Sequence, residues 1–255
     1  MNALPQPKTH QIVDRINALQ AASPRFIDTS EITPLSREWS AIRHDIDQLM
    51  RVDACAAWEL TGSWRALTGD VEGAEAAFTN SVALGHTGVN RENWMITRLN
   101  LGLFSGAQGL FRELCVARNR NLAEIARCGF LAGAIGRTAE LIEGARNTGV
   151  ELDDAWSEQV MEARSIMTDA NVTDEDIGNR LDCGGVVLRR HGYQAVIVPH
   201  VLSVEGVCRT VSYRLLVPLP FEPAHNMTYE MIPEEEKLER FDLNALAVWI
   251  EGGRL

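Results

Sequence analysis

Apolar positions recur every three to four residues along most of the first 170 residues of this 255-residue chain. That spacing lines one face of an α-helix. From Thr9, the residues Ile12, Val13, Ile16 and Leu19 predict a first helix. It stops at Ser23-Pro24, because the residue before a proline is pushed out of helical conformation. The polar stretch FIDTSEITPLS reads as a loop, and Pro34 opens a second helix carrying Trp39, Ile42, Ile46, Leu49 and Met50. Further helices are expected near 52–67, 71–84, 91–104, 106–118, 120–133 and 136–147, with Gly85 to Asn90 as a turn between two of them. Gly149 closes the last of these. Asp153 and Asp154 open another, where carboxylates suit the positive end of a helix dipole.

The pattern changes near Asp169. Thr173 and Asp176 form a helix-starting capping box, and the helix that follows contains Gly184-Gly185, a place for a bend or for close packing. The runs YQAVIVPHVLSV and VCRTVSYRLLVPLP, either side of Glu205-Gly206, are β-branched and apolar and predict a hairpin, with Pro199 on an edge or at a bulge. Residues 221–233 read as a polar connection and Glu234 to Phe241 as an acidic helix. Leu243 to Glu251 fits either a strand or a helix. Residues 1–7 read as a loose tail. The expected fold class is mainly α: a helical domain over 1–170, then a small α+β domain with a β-hairpin over 171–255.

The stretch from Trp58 to Val82 reads WELTGSWRALTGDVEGAEAAFTNSV. Trp58, Gly62, Gly69, Ala74 and Phe78 stand at the spacings of a tetratricopeptide repeat, a helix–turn–helix unit of about 34 residues. Thr61, Arg65, Ser81 and His86 depart from that pattern, where Leu, Tyr, Ala and Pro are usual. Ala107 and Phe111 repeat the Ala/Phe pair, with Gly102 five residues before Ala107. Ala139 begins a degenerate third copy, in which Ala134 replaces the turn glycine and Glu143 the Phe. The chain over residues 52–148 therefore resembles a short tetratricopeptide-like array. One such unit cannot bury its apolar face alone, so copies must stack.

That resemblance implies a habit of binding proteins or peptides in a groove lined by the first helix of each copy. Aligning on Ala74, Ala107 and Ala139 puts Glu59, Glu92 and Glu124 at one groove-facing position. A basic peptide would relieve their mutual repulsion. Asn93 matches one position of the family's clamp for a partner's terminal carboxylate. Glu59, Ser63 and Ile125 stand where Lys, Asn and Arg would be needed, so that clamp is not expected.

Composition narrows the remaining classes. A net charge of −11 opposes direct nucleic-acid binding. Five cysteines, none in a CxxC pair, suit a reducing compartment. With no signal-like or membrane-length apolar run, a cytoplasmic protein without membrane contact is expected. Asp182, Cys183, His191 and His200 are the candidates for catalysis, and Cys183, His191, His200 and Cys208 for a metal site. Their spacing supports neither. The glycines at 102, 106, 109 and at 129, 133, 136 precede no Gly-Lys-Ser/Thr and read as helix packing rather than a phosphate loop. No cofactor or metal is expected. The favoured function is a protein-interaction module (adaptor, chaperone or inhibitor type) that takes a basic segment in an acidic groove. Chemistry in the α+β unit, or mimicry of nucleic acid by an acidic surface, stays open.

Overall fold

The computed structural model describes residues 9–85, 88–116, 122–150, 152–204, 208–240 and 244–253. The elements run α1 (Thr9–Ala22), α2 (Pro34–Leu49), α3 (Ala54–Ala66), α4 (Val71–Leu84), α5 (Gly88–Asn100), α6 (Phe104–Val116), α7 (Leu122–Leu131), α8 (Ile135–Asn147), α9 (Asp154–Asp169) and α10 (Asp174–Arg190). Then come β1 (Val196–Val204), β2 (Cys208–Val217), α11 (Phe221–Tyr229), α12 (Ile232–Glu235) and β3 (Leu246–Gly252). The protein is mainly α with a small α+β portion at its C-terminal end. Tail residues 1–7, the turn residues His86 and Thr87, Glu205-Gly206, Phe241 and Leu243 lie outside the described residues.

Three helix pairs, α3–α4, α5–α6 and α7–α8, turn in the same way. Gly69, Gly102 and Gly133 take φ of 74°, 65° and 80°, a region that glycine enters without steric cost. Each donates its N–H to the carbonyl three residues back, and the next N–H reaches five back: Asp70 to Arg65, Leu103 to Arg98, Ala134 to Gly129. The third turn glycine is thus Gly133, one residue before the position expected from Ala139. The expectation that Ala134 replaces it is corrected. Successive first helices are neighbours, α1 beside α3, α3 beside α5 and α5 beside α7.

Helix α10 lies across the turns of the second and third pairs. A methyl group on Gly185 would stand 1.9 Å from the carbonyl oxygen of Gly102, and one on Gly133 would meet Ile177 at 2.5 Å. Gly184 packs against Leu215 of β2 in the same way, at 2.4 Å. The two glycines of α10 therefore serve close packing on both sides of an unbroken helix. Asp182 of α10 accepts from the N–H of Phe104 (2.6 Å) and of Ser105 (3.3 Å). Asp174 accepts from Gly136 (2.8 Å) and Arg137 (3.1 Å). These carboxylates satisfy the free N–H groups that begin α6 and α8. The first pair needs no such help: Asp70 caps α4 locally, through the Gly73 N–H at 2.8 Å.

One apolar core runs from Met95 through α6–α10 into Tyr213, Leu215 and Ile250 of the sheet. A smaller cluster joins α1, α2 and α3. The larger core is continuous across residue 170. The sheet order is β1-β2-β3, with β1–β2 antiparallel and β2–β3 parallel. Pro199 sits on the edge strand β1, opposite Tyr213 of β2. Two expectations are corrected. The connection over 221–233 holds α11, because Ala224 and Met227 bury one face of it. The acidic helix is only the four residues Ile232–Glu235. The last element is a strand, β3, with Leu246, Val248 and Ile250 alternating inward. Of the six tryptophans, Trp64 is buried and the other five are half-buried.

Candidate functional site

Helices α1, α3 and α5 bring apolar and polar side chains together, with Val13, Leu60 and Ile96 among the apolar ones. A cleft of about 240 Å³ lies between them, lined by Ile16 and Gln20 of α1, Glu59 and Ser63 of α3, Asn93 and Thr97 of α5, and others including Asn17, Asn100 and Gln194. Gln194 follows α10. It is carried here by a backbone stitch between the loop after α1 and the start of the sheet region: Gln194 N–H to Pro24 carbonyl (2.8 Å), Phe26 N–H to Gly192 carbonyl (2.9 Å) and Ala195 N–H to Asn100 carbonyl (2.9 Å). Arg25 stacks over the Tyr193 ring at 4.5 Å and donates to its hydroxyl, fixing the same stitch.

Glu59 is the charged group of this cleft, since its lining residues include no Lys, Arg or His. One of its oxygens accepts from the Asn93 Nδ2. Burial raises the Glu59 pKa; the Asn93 bond works against the rise and Asp53 adds to it. The remaining polar lining is largely unused by the protein. Thr97 is 5% exposed, and its hydroxyl has no partner among the hydrogen bonds of the described residues. Gln194, 7% exposed, uses only its amide N–H toward Ser23 (3.4 Å). Neither the Thr97 hydroxyl nor the Gln194 carbonyl oxygen is sealed from solvent; both open onto the cleft, where a ligand could take the place of water.

The expected row of three glutamates divides. Glu59 and Asn93 line the cleft and touch each other. Glu92 and Glu124 do not line it. Glu92 is partly buried, which raises its pKa. Its charge also helps to raise the thiol of Cys128 on α7, behind burial and Glu124. Glu124 is exposed. Counted from the turn glycines, Glu59 and Glu92 stand ten residues before Gly69 and Gly102, while Ala123 stands ten before Gly133. Glu124 falls instead at the register of Asn93. Sequence reasoning also missed Gln194 and Thr97. A Gln far along the chain gives no signal, and Thr97 looks like any helix residue until its lack of a partner is visible.

Of the catalytic candidates, Asp182, Cys183 and His191 are engaged elsewhere, and His200 is exposed on the edge strand β1. Asp182 caps α6. Burial pushes the Cys183 thiol up to about 11, which keeps it protonated and poorly nucleophilic. His191 ends α10 and pairs with Glu230 at 2.9 Å. Among the described residues no group of three His, Cys, Asp or Glu side chains could hold a metal ion, and no helix is long and apolar enough to cross a membrane. Compared with protein-family models, curated proteins and solved structures, the chain finds no match in any of the three.

Proposed function

We propose that this is a protein-interaction module in which a tetratricopeptide-like array of helix pairs offers its α1–α3–α5 cleft to a basic segment of a partner. Three like turns at Gly69, Gly102 and Gly133, and first helices that neighbour one another, support the array reading. The observation that carries the function is the Glu59 carboxylate, set in a cleft of mixed polar and apolar lining with no cationic side chain in it. A partner ammonium or guanidinium would supply the missing charge and form a charge-assisted hydrogen bond. The acidic surface, at net charge −11, would speed the arrival of such a partner. Adaptors, chaperones and inhibitors all work by binding of this kind.

Fluorescence anisotropy with labelled lysine- and arginine-containing peptides, against the same peptides with glutamine in place of the basic residues, tests the reading. The basic set is expected to bind at least about tenfold tighter, with affinity falling as salt rises. Glu59→Lys should abolish that preference while leaving the circular dichroism spectrum unchanged. Equal binding of the two sets, or an unaltered preference in the variant, rejects the proposal.

A further inference from the structure

Size and lining together define the occupant more narrowly, on the reading that the cleft binds a cationic segment. The cleft holds about 240 Å³, room for about eight waters at ~30 Å³ each. This bounds not the partner's length but the part of it that enters the cleft. Its polar groups are also not gathered around Glu59 alone. They run along α5 from Asn93 through Thr97 to Asn100, and Gln194 joins them beside Asn100. Seven residues of helix span roughly 10 Å, which matches about three residues of extended chain at about 3.3 Å each.

The two ends differ in chemistry. At one end the Glu59 carboxylate, the Ser63 hydroxyl and the Asn93 side-chain oxygen are three acceptors. Asn93 is already turned so that its Nδ2 donates to Glu59. Three acceptors suit the three N–H bonds of a primary ammonium. Beyond them Thr97, Asn100 and Gln194 offer neutral donors and acceptors, the complement of peptide N–H and carbonyl groups. A lysine side chain could rest its four methylenes on the apolar wall of Val13, Leu60 and Ile96, but it brings no N–H or carbonyl to Thr97, Asn100 and Gln194. A chain that begins at its ammonium carries peptide groups directly behind it. A free amino acid or a partner's C-terminus would bring a carboxylate toward a lining without any cation.

We infer that the cleft is a receptor for the free N-terminus of a peptide or protein: Glu59, Ser63 and Asn93 hold the α-ammonium, and Thr97, Asn100 and Gln194 bond the first two or three peptide units. An acylated N-terminus has no charge and keeps a single N–H, and it is rejected.

The test uses three probes on the full chain: trialanine amide with a free amine, the same peptide N-acetylated, and N-acetyl-Ala-Lys-Ala amide. Binding is followed at millimolar concentrations by NMR of the side-chain amides of Asn93, Asn100 and Gln194, with wild type, Glu59→Gln and Thr97→Val. The free-amine peptide is expected to shift those three signals. Acetylation, or Glu59→Gln, should weaken binding at least about tenfold. Thr97→Val should weaken it several-fold, with its far-ultraviolet spectrum unchanged. Equal binding of acetylated and free trialanine overturns the inference. If only the lysyl peptide binds, the N-terminus assignment fails and the basic-segment reading stands. If no probe binds, both fail.

Discussion

Two partly buried polar regions of this protein treat their hydrogen-bonding groups in opposite ways. In the seam between α10 and the helix pairs, the polar groups are matched. Asp182 and Asp174 take the leading N–H groups of α6 and α8. Arg189 gives Nη1 to the carbonyls of Leu101 (2.6 Å) and Gly102 (2.8 Å). Gln108 bonds the carbonyls of Ala132 (3.0 Å) and Asp174 (2.7 Å). In the cleft, Thr97 and the Gln194 carbonyl oxygen bond nothing in the described protein. Matched groups hold a structure together, while groups that face an open cleft bond water until a ligand takes its place. The difference separates the scaffold from the site.

Substitution in the seam is expected to damage the fold, and the largest effect belongs to Gly185→Val. Its nearest obstacle is backbone, the Gly102 carbonyl, so no rotamer relieves the overlap. A loss of about 3 kcal/mol or more is expected, read as a lower urea midpoint. An unchanged midpoint would mean that α10 does not dock as described. Asp182→Ala comes next, at about 1–2 kcal/mol for a lost cap. Hydrogen exchange should quicken at Phe104 and Ser105 and stay slow at Gly73, which has its own cap. Asp70→Ala should give the reverse pattern. If both variants loosen the same amides, the contrast between a borrowed and a local cap is wrong.

The seam was only half legible in the sequence. Gly184-Gly185 signalled close packing, but nothing local says which backbone a glycine approaches. The helices themselves were legible, because each buries a stripe at its own period. The failures cluster where tertiary contact decides. α11 begins after Pro220 with few apolar residues, and only Ala224 and Met227, buried beneath it, make it a helix. Glu59 and Asn93 were found through the spacing of the first helices. Glu124 was misplaced by one residue, because the third copy was aligned on an alanine instead of on the glycine that makes its turn. Gln194 could not be found from periodicity, since it reaches the cleft through a contact spanning 171 residues, to Ser23.

In the cleft little loss is expected. Thr97→Val keeps the shape and removes a hydroxyl that no group of the described protein bonds, so the variant should match the wild type in stability within about 0.5 kcal/mol. A clear loss in the urea midpoint would show that the hydroxyl is bonded within the protein after all. The same substitution weakens ligand binding, so affinity should fall at this position while stability holds.

Two glutamates carry the contrast to its finest grain. Burial acts to raise the Glu75 pKa, but hydrogen bonds from Arg98 and Trp94 outweigh it, and the pKa ends lowered. Glu75 binds Arg98 Nε at 2.8 Å and Trp94 Nε1 at 2.9 Å, joining α4 to α5. Glu59 has no cation, and burial leaves its pKa raised. A lowered carboxylate contributes stability above its unfolded pKa, about 4.3, and that contribution is lost as pH falls through the folded value. A raised one contributes fully below the unfolded pKa, and its contribution is lost as pH rises through the folded value. At pH 7, therefore, Glu75→Gln should be less stable than wild type and Glu59→Gln more stable. The two differences should shrink together as the medium is acidified toward about pH 4. Urea midpoints of the three proteins at both pH values check this. Bound ammonium would reverse the Glu59 term, since a cation beside the carboxylate lowers its pKa. Saturating the cleft with a free-amine peptide should then make wild type the more stable of the pair at pH 7. If Glu59→Gln instead lowers stability in the empty protein, Glu59 already has a partner and belongs to the scaffold.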